Sequence, residues 1–224
     1  MRILITGASS GIGLNCVKNF LLKGFEVVGI DLKDSTVKDE NYTHYVLDIS
    51  KDELPNVKDI NILFNNAGLQ NSQDDISNNL KGTIRVTEKY INPSINAILF
   101  NASASAISGS EFPEYAASKA GVVGYMKNVA IRLAKDGVIV NAISLGGVNT
   151  KSNDVVIKDE KLFKQIMDVT PLKKWMSEDE VFDWVYFLTC VNKSASGQNI
   201  LIDNGEHDLN DKFVWPSKQN HFNN

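Results

Sequence analysis

The chain has 224 residues, 43% hydrophobic and 22% charged, with a formal net charge of -4. That balance fits one large α/β domain with a substantial core and excludes global disorder. An acidic chain without a long basic run offers no nucleic-acid surface, and no apolar stretch reaches membrane-spanning length.

The elements alternate along the chain. Strand-length apolar runs fall at 2–6, 25–30, 44–47, 60–65, 97–102, 137–144 and 198–202, several nearly continuous in Ile, Leu, Val and Phe. Helical spacing covers 12–23, 74–90, 113–135 and 177–191. Such alternation predicts a doubly wound, Rossmann-type parallel sheet of about seven strands with helices on both faces. The first seven residues read as a buried strand entering a turn, with no signal-peptide pattern. His44 is expected to open the third strand, and the short segment 49–59 after it predicts a stunted crossover helix. Asp74 and Asp75 suit a helix start, where carboxylates oppose the dipole. The domain is expected to span 1–205, followed by a polar tail at 206–224 in which Phe213, Val214 and Trp215 could dock on a neighbouring subunit. Cys16 and Cys190 read as reduced core thiols of a cytoplasmic protein, and His44, His207 and His221 show no metal-ligand spacing.

Two motifs carry chemistry. The first strand runs into Thr6-Gly7-Ala8-Ser9-Ser10-Gly11-Ile12-Gly13, where glycines permit a tight turn and bring backbone N–H groups to a pyrophosphate at a helix N-terminus. Asp31 follows Gly13 by eighteen residues. A carboxylate there can accept hydrogen bonds from both ribose hydroxyls of NAD and repels the 2′-phosphate of NADP. Ser10 and Leu32 stand where an arginine would welcome that phosphate, while Lys33 argues the other way. NAD is therefore expected over NADP. About a hundred residues on, Tyr115 and Lys119 form a Tyr-x-x-x-Lys pair, and residues four apart on a helix share a face. A nearby ammonium favours the phenolate of an otherwise reluctant tyrosine base. A surface tyrosine beside a solvated lysine is the plain alternative, and the glycine turn argues against it.

With these motifs in order, the chain resembles the short-chain dehydrogenase/reductase family from Arg2 to about Gly205. The shared markers are Thr6–Gly13, Asp48, Asn65-Asn66-Ala67-Gly68, Asn79-Leu80-Lys81-Gly82, serines 103 and 105, Tyr115 with Lys119, and Gly146-Gly147-Val148-Asn149-Thr150. The resemblance implies that Gly7, Ser9, Ser10, Gly11, Ile12, Gly13, Asp31 and Leu32 meet the adenosine and diphosphate. Asp48 and Ile49 would line the adenine pocket, Asn65 would brace the central strands, and Asn66, Ala67 and Gly68 would lie beside the cofactor. Gly146, Val148 and Thr150 would engage the nicotinamide, and Lys119 its ribose. Tyr115 would be the general acid/base and Asn79, or Asn78, would anchor a proton-relay water. Ser103 would hold the substrate oxygen, being twelve residues before Tyr115, with Ser105 in reserve at ten. Leu145-Gly146 replaces the family's usual Pro-Gly.

The function this implies is reversible oxidation of a secondary alcohol to a ketone. A nucleotide-binding regulator or scaffold of the same fold is the alternative. The substrate stays open among 3-oxoacyl, sugar or polyol and steroid-like molecules. Segment 151–170 would form a substrate lid, its apolar side chains covering a ligand or forming an ordinary buried face. Val86, Ile91, Val122, Val123, Tyr125, Met126 and Val129 exceed what one sheet-facing stripe needs, which predicts a homodimer or homotetramer through the helices at 74–90 and 113–135.

Overall fold

The computed structural model describes residues 1–110, 112–207 and 209. Its core is one parallel seven-stranded sheet in the order β3-β2-β1-β4-β5-β6-β7. The strands are β1 (Arg2–Thr6), β2 (Glu26–Asp31), β3 (Tyr42–Val46), β4 (Ile62–Asn65), β5 (Ala97–Asn101), β6 (Ile139–Leu145) and β7 (Asn199–Ile202). All seven expected strands form, with ends shifted by up to two residues. β3 begins at Tyr42, so His44 sits in mid-strand and does not open it.

The near-continuous apolar strands follow from burial on both faces. On one face Ile3 and Ile5 of β1 pack with Cys16, Val17 and Phe20 of α1 (Gly11–Leu22) and with Val181, Phe182 and Val185 of α7 (Glu178–Tyr186). On the other face Leu4, Leu63 and Ile98 meet Val86 and Tyr90 of α2 (Gly82–Tyr90) and Val122, Met126 and Val129 of α4 (Pro113–Leu133). Pro113 at the first position of α4 suits a helix start, since its missing N–H would have no partner there.

Three expectations need correction. The crossover between β3 and β4 contains no helix. Its fifteen residues (47–61) include Pro55, which has no N–H to give a helix. Ile49, Leu54 and Ile60 plug the core face instead, and α2 ties the segment down through Arg85 to the carbonyls of Ile49 (2.6 Å) and Asp52 (2.8 Å). The helix expected over 74–90 is broken by a π-helical turn at Ile76–Lys81 before α2 begins. Finally, Val86, Val122, Met126 and Val129 are fully buried within the chain's own core, and Ile91 and Tyr125 pack at its edge. The four buried residues therefore do not belong to a second apolar face, and Ile91, Val123 and Tyr125 are half-buried. Large apolar side chains do reach the surface at Ile131 of α4 and at Trp184, Phe187 and Val191, along α7 and the π-helical turn that follows it.

Segment 151–170 folds into α5 (Asp154–Ile157) and α6 (Glu160–Val169), which Asp159 caps by accepting the Leu162 N–H at 3.0 Å. Neither helix buries a residue, and Val155 and Val169 are exposed. A short α3 (Ser105–Ser108) packs on α4. Phe213, Val214 and Trp215 lie outside the described residues, as does most of 206–224. No described helix is long and apolar enough to cross a membrane.

Candidate active site

Strand order reverses between β1 and β4, so their C-terminal ends open a crevice, the place where open parallel sheets bind ligands. The Thr6 hydroxyl closes its floor by accepting the N–H groups of Asn66 and Ala67, each at 3.0 Å. Asn66 returns the contact, donating its amide to the carbonyls of Thr6 (3.0 Å) and Gly7 (3.3 Å). Its Oδ1 accepts from Asn101 Nδ2 at 3.0 Å, which extends the chain of contacts to β5. Asn65 is buried and donates to Thr87 Oγ1 at 3.0 Å, bracing β4 against α2.

The turn from β1 into α1 needs its last glycine for space. A Cβ on Gly13 would fall 1.9 Å from the Gly7 carbonyl oxygen. The turn holds no basic side chain, so an anion here would meet the backbone N–H groups at the start of α1. Ser10 is its N-cap residue and Ile12 packs partly on the core. Asp31, at the end of β2, turns one carboxylate oxygen to the Ser9 N–H and the other to the Lys33 N–H, both at 2.9 Å. Each oxygen keeps acceptor capacity for a ligand hydroxyl. Leu32 is exposed beside it. Asp48 is drawn into its own turn: burial opposes ionisation, but the Ser50 hydroxyl and amide, with Lys51, hold its carboxyl below the ordinary range. Ile49 packs its side chain against Gly82.

Lys119 is 4% exposed and donates to the Asn101 carbonyl at 2.8 Å. Its Nζ lies 5.8 Å from the centre of the Tyr115 ring, so the shared helix face expected from the spacing is formed. Burial pulls the ammonium down to about 8, against the pull of the Asp75 carboxylate. Gly68 lies against both Lys119 Nζ and Asn79 Oδ1. Asn79, on the π-helical turn, donates to the Leu69 carbonyl (2.8 Å) and Ser118 Oγ (3.0 Å) and accepts the Leu69 N–H (2.7 Å). Both of its amide hydrogens are thus committed, and the side chain braces the 69 loop against α4. Asn78 points elsewhere, to Ser72 Oγ.

Ser103 and Ser105 do not compete for one place. Both are buried, with hydroxyls 3.1 Å apart, and Ser103 Oγ also accepts the Ser105 N–H at 3.2 Å. Beyond β6, Gly146 meets Asp203, Val148 is buried and bridges to Met176, and Thr150 reaches Gly11. Asn149, Thr150, Lys151, Asp154, Ile157 and Phe163 line a cleft of about 500 Å³ under α5 and α6.

Sequence reasoning missed several of these participants. Asn101 supplies the Lys119 acceptor. Glu178, a first-turn residue of α7, brings its carboxylate beside Gly11 and Thr150; burial, then Asp179, holds it above the ordinary carboxyl range. His44 and Tyr42 reach the Asp31 loop. No local pattern flags them, because each meets the site only through the packed sheet.

The Lys119 shift sets a sign for stability. Between about pH 8 and 10.5 the unfolded chain holds a proton that the folded chain releases, so stability attributable to this group rises with pH. Urea denaturation at about pH 7.5 and about pH 10 should therefore show the wild type gaining stability relative to Lys119→Met as pH rises. A constant difference would mean that Lys119 is solvated.

A family model described as enoyl-(acyl carrier protein) reductase matches residues 7–207. The 3-oxoacyl-[acyl-carrier-protein] reductase FabG of Thermotoga maritima is 32% identical, over 90% of this chain and 96% of its own. The 2-dehydro-3-deoxy-D-gluconate 5-dehydrogenase of Escherichia coli is 27% identical, over 90% and 93%. Among solved structures, a 4-hydroxyisoleucine dehydrogenase mutant with NADH and succinate superposes with TM-score 0.81 at 25% identity, covering 92% of this chain and 98% of that one. A short-chain dehydrogenase of Leptospira borgpetersenii with bound NAD+ gives 0.77 at 24% identity, covering 92% of each. ElxO with NADP bound gives 0.78 at 23%, covering 92% and 98%. With the glycine turn, the Tyr115–Lys119 pair and the sheet order, these matches establish that the chain belongs to the short-chain dehydrogenase/reductase family, nicotinamide-dependent oxidoreductases of alcohol and ketone groups.

Proposed function

We propose that the protein interconverts a secondary alcohol and a ketone, preferring NAD(H), with Tyr115 as the proton-transferring residue. The observation that carries this reading is the buried Lys119 ammonium 5.8 Å from the Tyr115 ring centre, beside the crevice and its glycine turn. The residues fit a dinucleotide: Gly13 lets α1 start tight against the Gly7 carbonyl so that its free N–H groups face the turn, and Asp31 is oriented by two backbone N–H groups. Gly7, Ser9, Ser10, Gly11, Ile12 and Gly13 would hold the diphosphate end, Asp31 and Leu32 the adenosine ribose, and Asp48 and Ile49 the adenine. Asn66, Ala67, Gly68, Lys119, Gly146, Val148 and Thr150 would hold the nicotinamide end.

Bound nicotinamide supplies or accepts the hydride. Tyr115 Oη gives the ketone oxygen its proton, or removes the alcohol proton in the reverse direction. Lys119 places positive charge beside the ring, the sign that assists loss of the phenol proton. Ser103 Oγ orients the substrate oxygen, and its contacts with Ser105 fix its direction. Asn79 holds the 69 loop and α4 in register behind Lys119. The regulator alternative gains no support, since the chain retains both Tyr115 and Lys119. Unpaired Cys16 and Cys190 support a cytoplasmic setting.

Three measurements test this reading. In a ketone panel with NADH, Tyr115→Phe should abolish turnover while changing NADH affinity by less than about threefold, because only the hydroxyl is lost. Ser103→Ala should lower kcat more than Ser105→Ala; the opposite order would make Ser105 the orienting hydroxyl.

Titration with both reduced cofactors should show tighter NADH than NADPH binding, with Asp31→Ala narrowing the gap. A wild-type preference for NADPH would place Lys33, not Asp31, in charge.

We also infer a homodimer or homotetramer, supported by the exposed Ile131, Trp184, Phe187 and Val191. Light scattering at micromolar concentration should give a multiple of 24.8 kDa, and an active 24.8 kDa species would overturn it.

A further inference from the structure

The loop carrying Asp31 is held from below by the edge strand. Lys33 is held at both of its backbone polar groups: its N–H donates to Asp31 Oδ1, and its carbonyl accepts from Ser9 Oγ and from His44 Nε2, each at 2.9 Å. A carbonyl only accepts, so His44 carries its proton on Nε2. In the neutral ring Nδ1 is then the acceptor, and the Tyr42 hydroxyl, 2.9 Å away, its donor. Burial, with the Asp31 carboxylate nearby and Ser35 opposing, raises the Tyr42 phenol.

The register explains how two β3 side chains reach this place. Tyr42 and His44 are two residues apart and share a face of the sheet, with Gly29 of β2 opposite His44. Gly29 leaves the space the phenol needs: a Cβ there would lie 2.2 Å from the Tyr42 hydroxyl. The contacts form a single line from Tyr42 through His44 and the Lys33 backbone to Asp31.

We propose that His44, supported by Tyr42, is a positioning residue that sets the choice between NAD and NADP by fixing the Asp31–Lys33 turn. This rests on the reading that Asp31 meets the adenosine ribose. With the Lys33 carbonyl held, Asp31 presents its carboxylate to the ribose. Without His44 the carbonyl keeps only the Ser9 hydroxyl, the turn loosens, and the Lys33 ammonium, the one cation within 31–33, is freer to approach a 2′-phosphate.

Equilibrium binding of NADH and NADPH by quenching of intrinsic fluorescence, with hydrogen exchange of the unliganded protein, tests this. His44→Leu should weaken NADH about 5- to 10-fold, as expected for lost buried hydrogen bonds, and leave NADPH within twofold or tighter. Exchange at residues 31–35 should quicken without cofactor. His44→Gln, which still offers an Nε2–H to the carbonyl, should restore most of the preference, and Tyr42→Phe should fall between. Equal weakening of both cofactors in His44→Leu and Tyr42→Phe, or unchanged exchange at 31–35, would overturn the proposal. A wild type that binds neither cofactor would defeat the nucleotide reading itself. A wild type that binds both, with a ratio His44→Leu does not move, would defeat the positioning role alone.

Discussion

Two backbone N–H groups, from Asn66 and Ala67, converge on the hydroxyl of Thr6 where the strand order reverses. Those amides emerge from β4 and cannot be satisfied by the sheet, which ends there. A buried N–H without a partner costs about 1–3 kcal/mol, so the hydroxyl fixes how closely the two strand ends approach. From that junction Asn66 reaches back to the glycine turn and across to Asn101, and Asn101 receives Lys119. The glycine turn and Lys119 are thus positioned by one continuous set of hydrogen bonds.

Lys119 shows the tension in this arrangement. An ammonium at 4% exposure, donating to the Asn101 carbonyl, is held against its solvation preference, which is why burial pulls it down to about 8. The fold tolerates this because α4 is anchored on both sides, by Met126 and Val129 in the core and by Asn79 gripping Ser118. The π-helical turn carrying Asn79 contributes to the same end. Widening the helix by one residue lets Asn79 face the 69 loop and α4 while α2 continues into the core.

The opposite edge of the sheet is economical. The crossover after β3 forms no helix, so loop residues and two long side chains of α2, Arg85 and Tyr90, secure it through backbone carbonyls. β3 itself has two exposed and three half-buried residues, and two of the half-buried ones, Tyr42 and His44, point inward to the turn that carries Asp31. On the far side the helices α5 and α6 bury none of their residues, leaving their apolar side chains around an open cleft.

The sequence by itself determined the strand–helix alternation, the glycine turn, Asp31 and the Tyr115–Lys119 spacing. Each is written in local periodicity or in residues only a few positions apart, where burial on two faces or a helix turn dictates the pattern. It could not show that the Ser103 and Ser105 hydroxyls hydrogen-bond to each other, that Asn79 spends its amide on a brace, or that Val86, Val122, Met126 and Val129 belong to the chain's own core. Nor could it bring Asn101 to Lys119, Glu178 to Gly11 or His44 to Lys33. Those contacts join residues from 11 to 167 positions apart, and only the packing of strand ends and helix faces decides which of many possible partners meet.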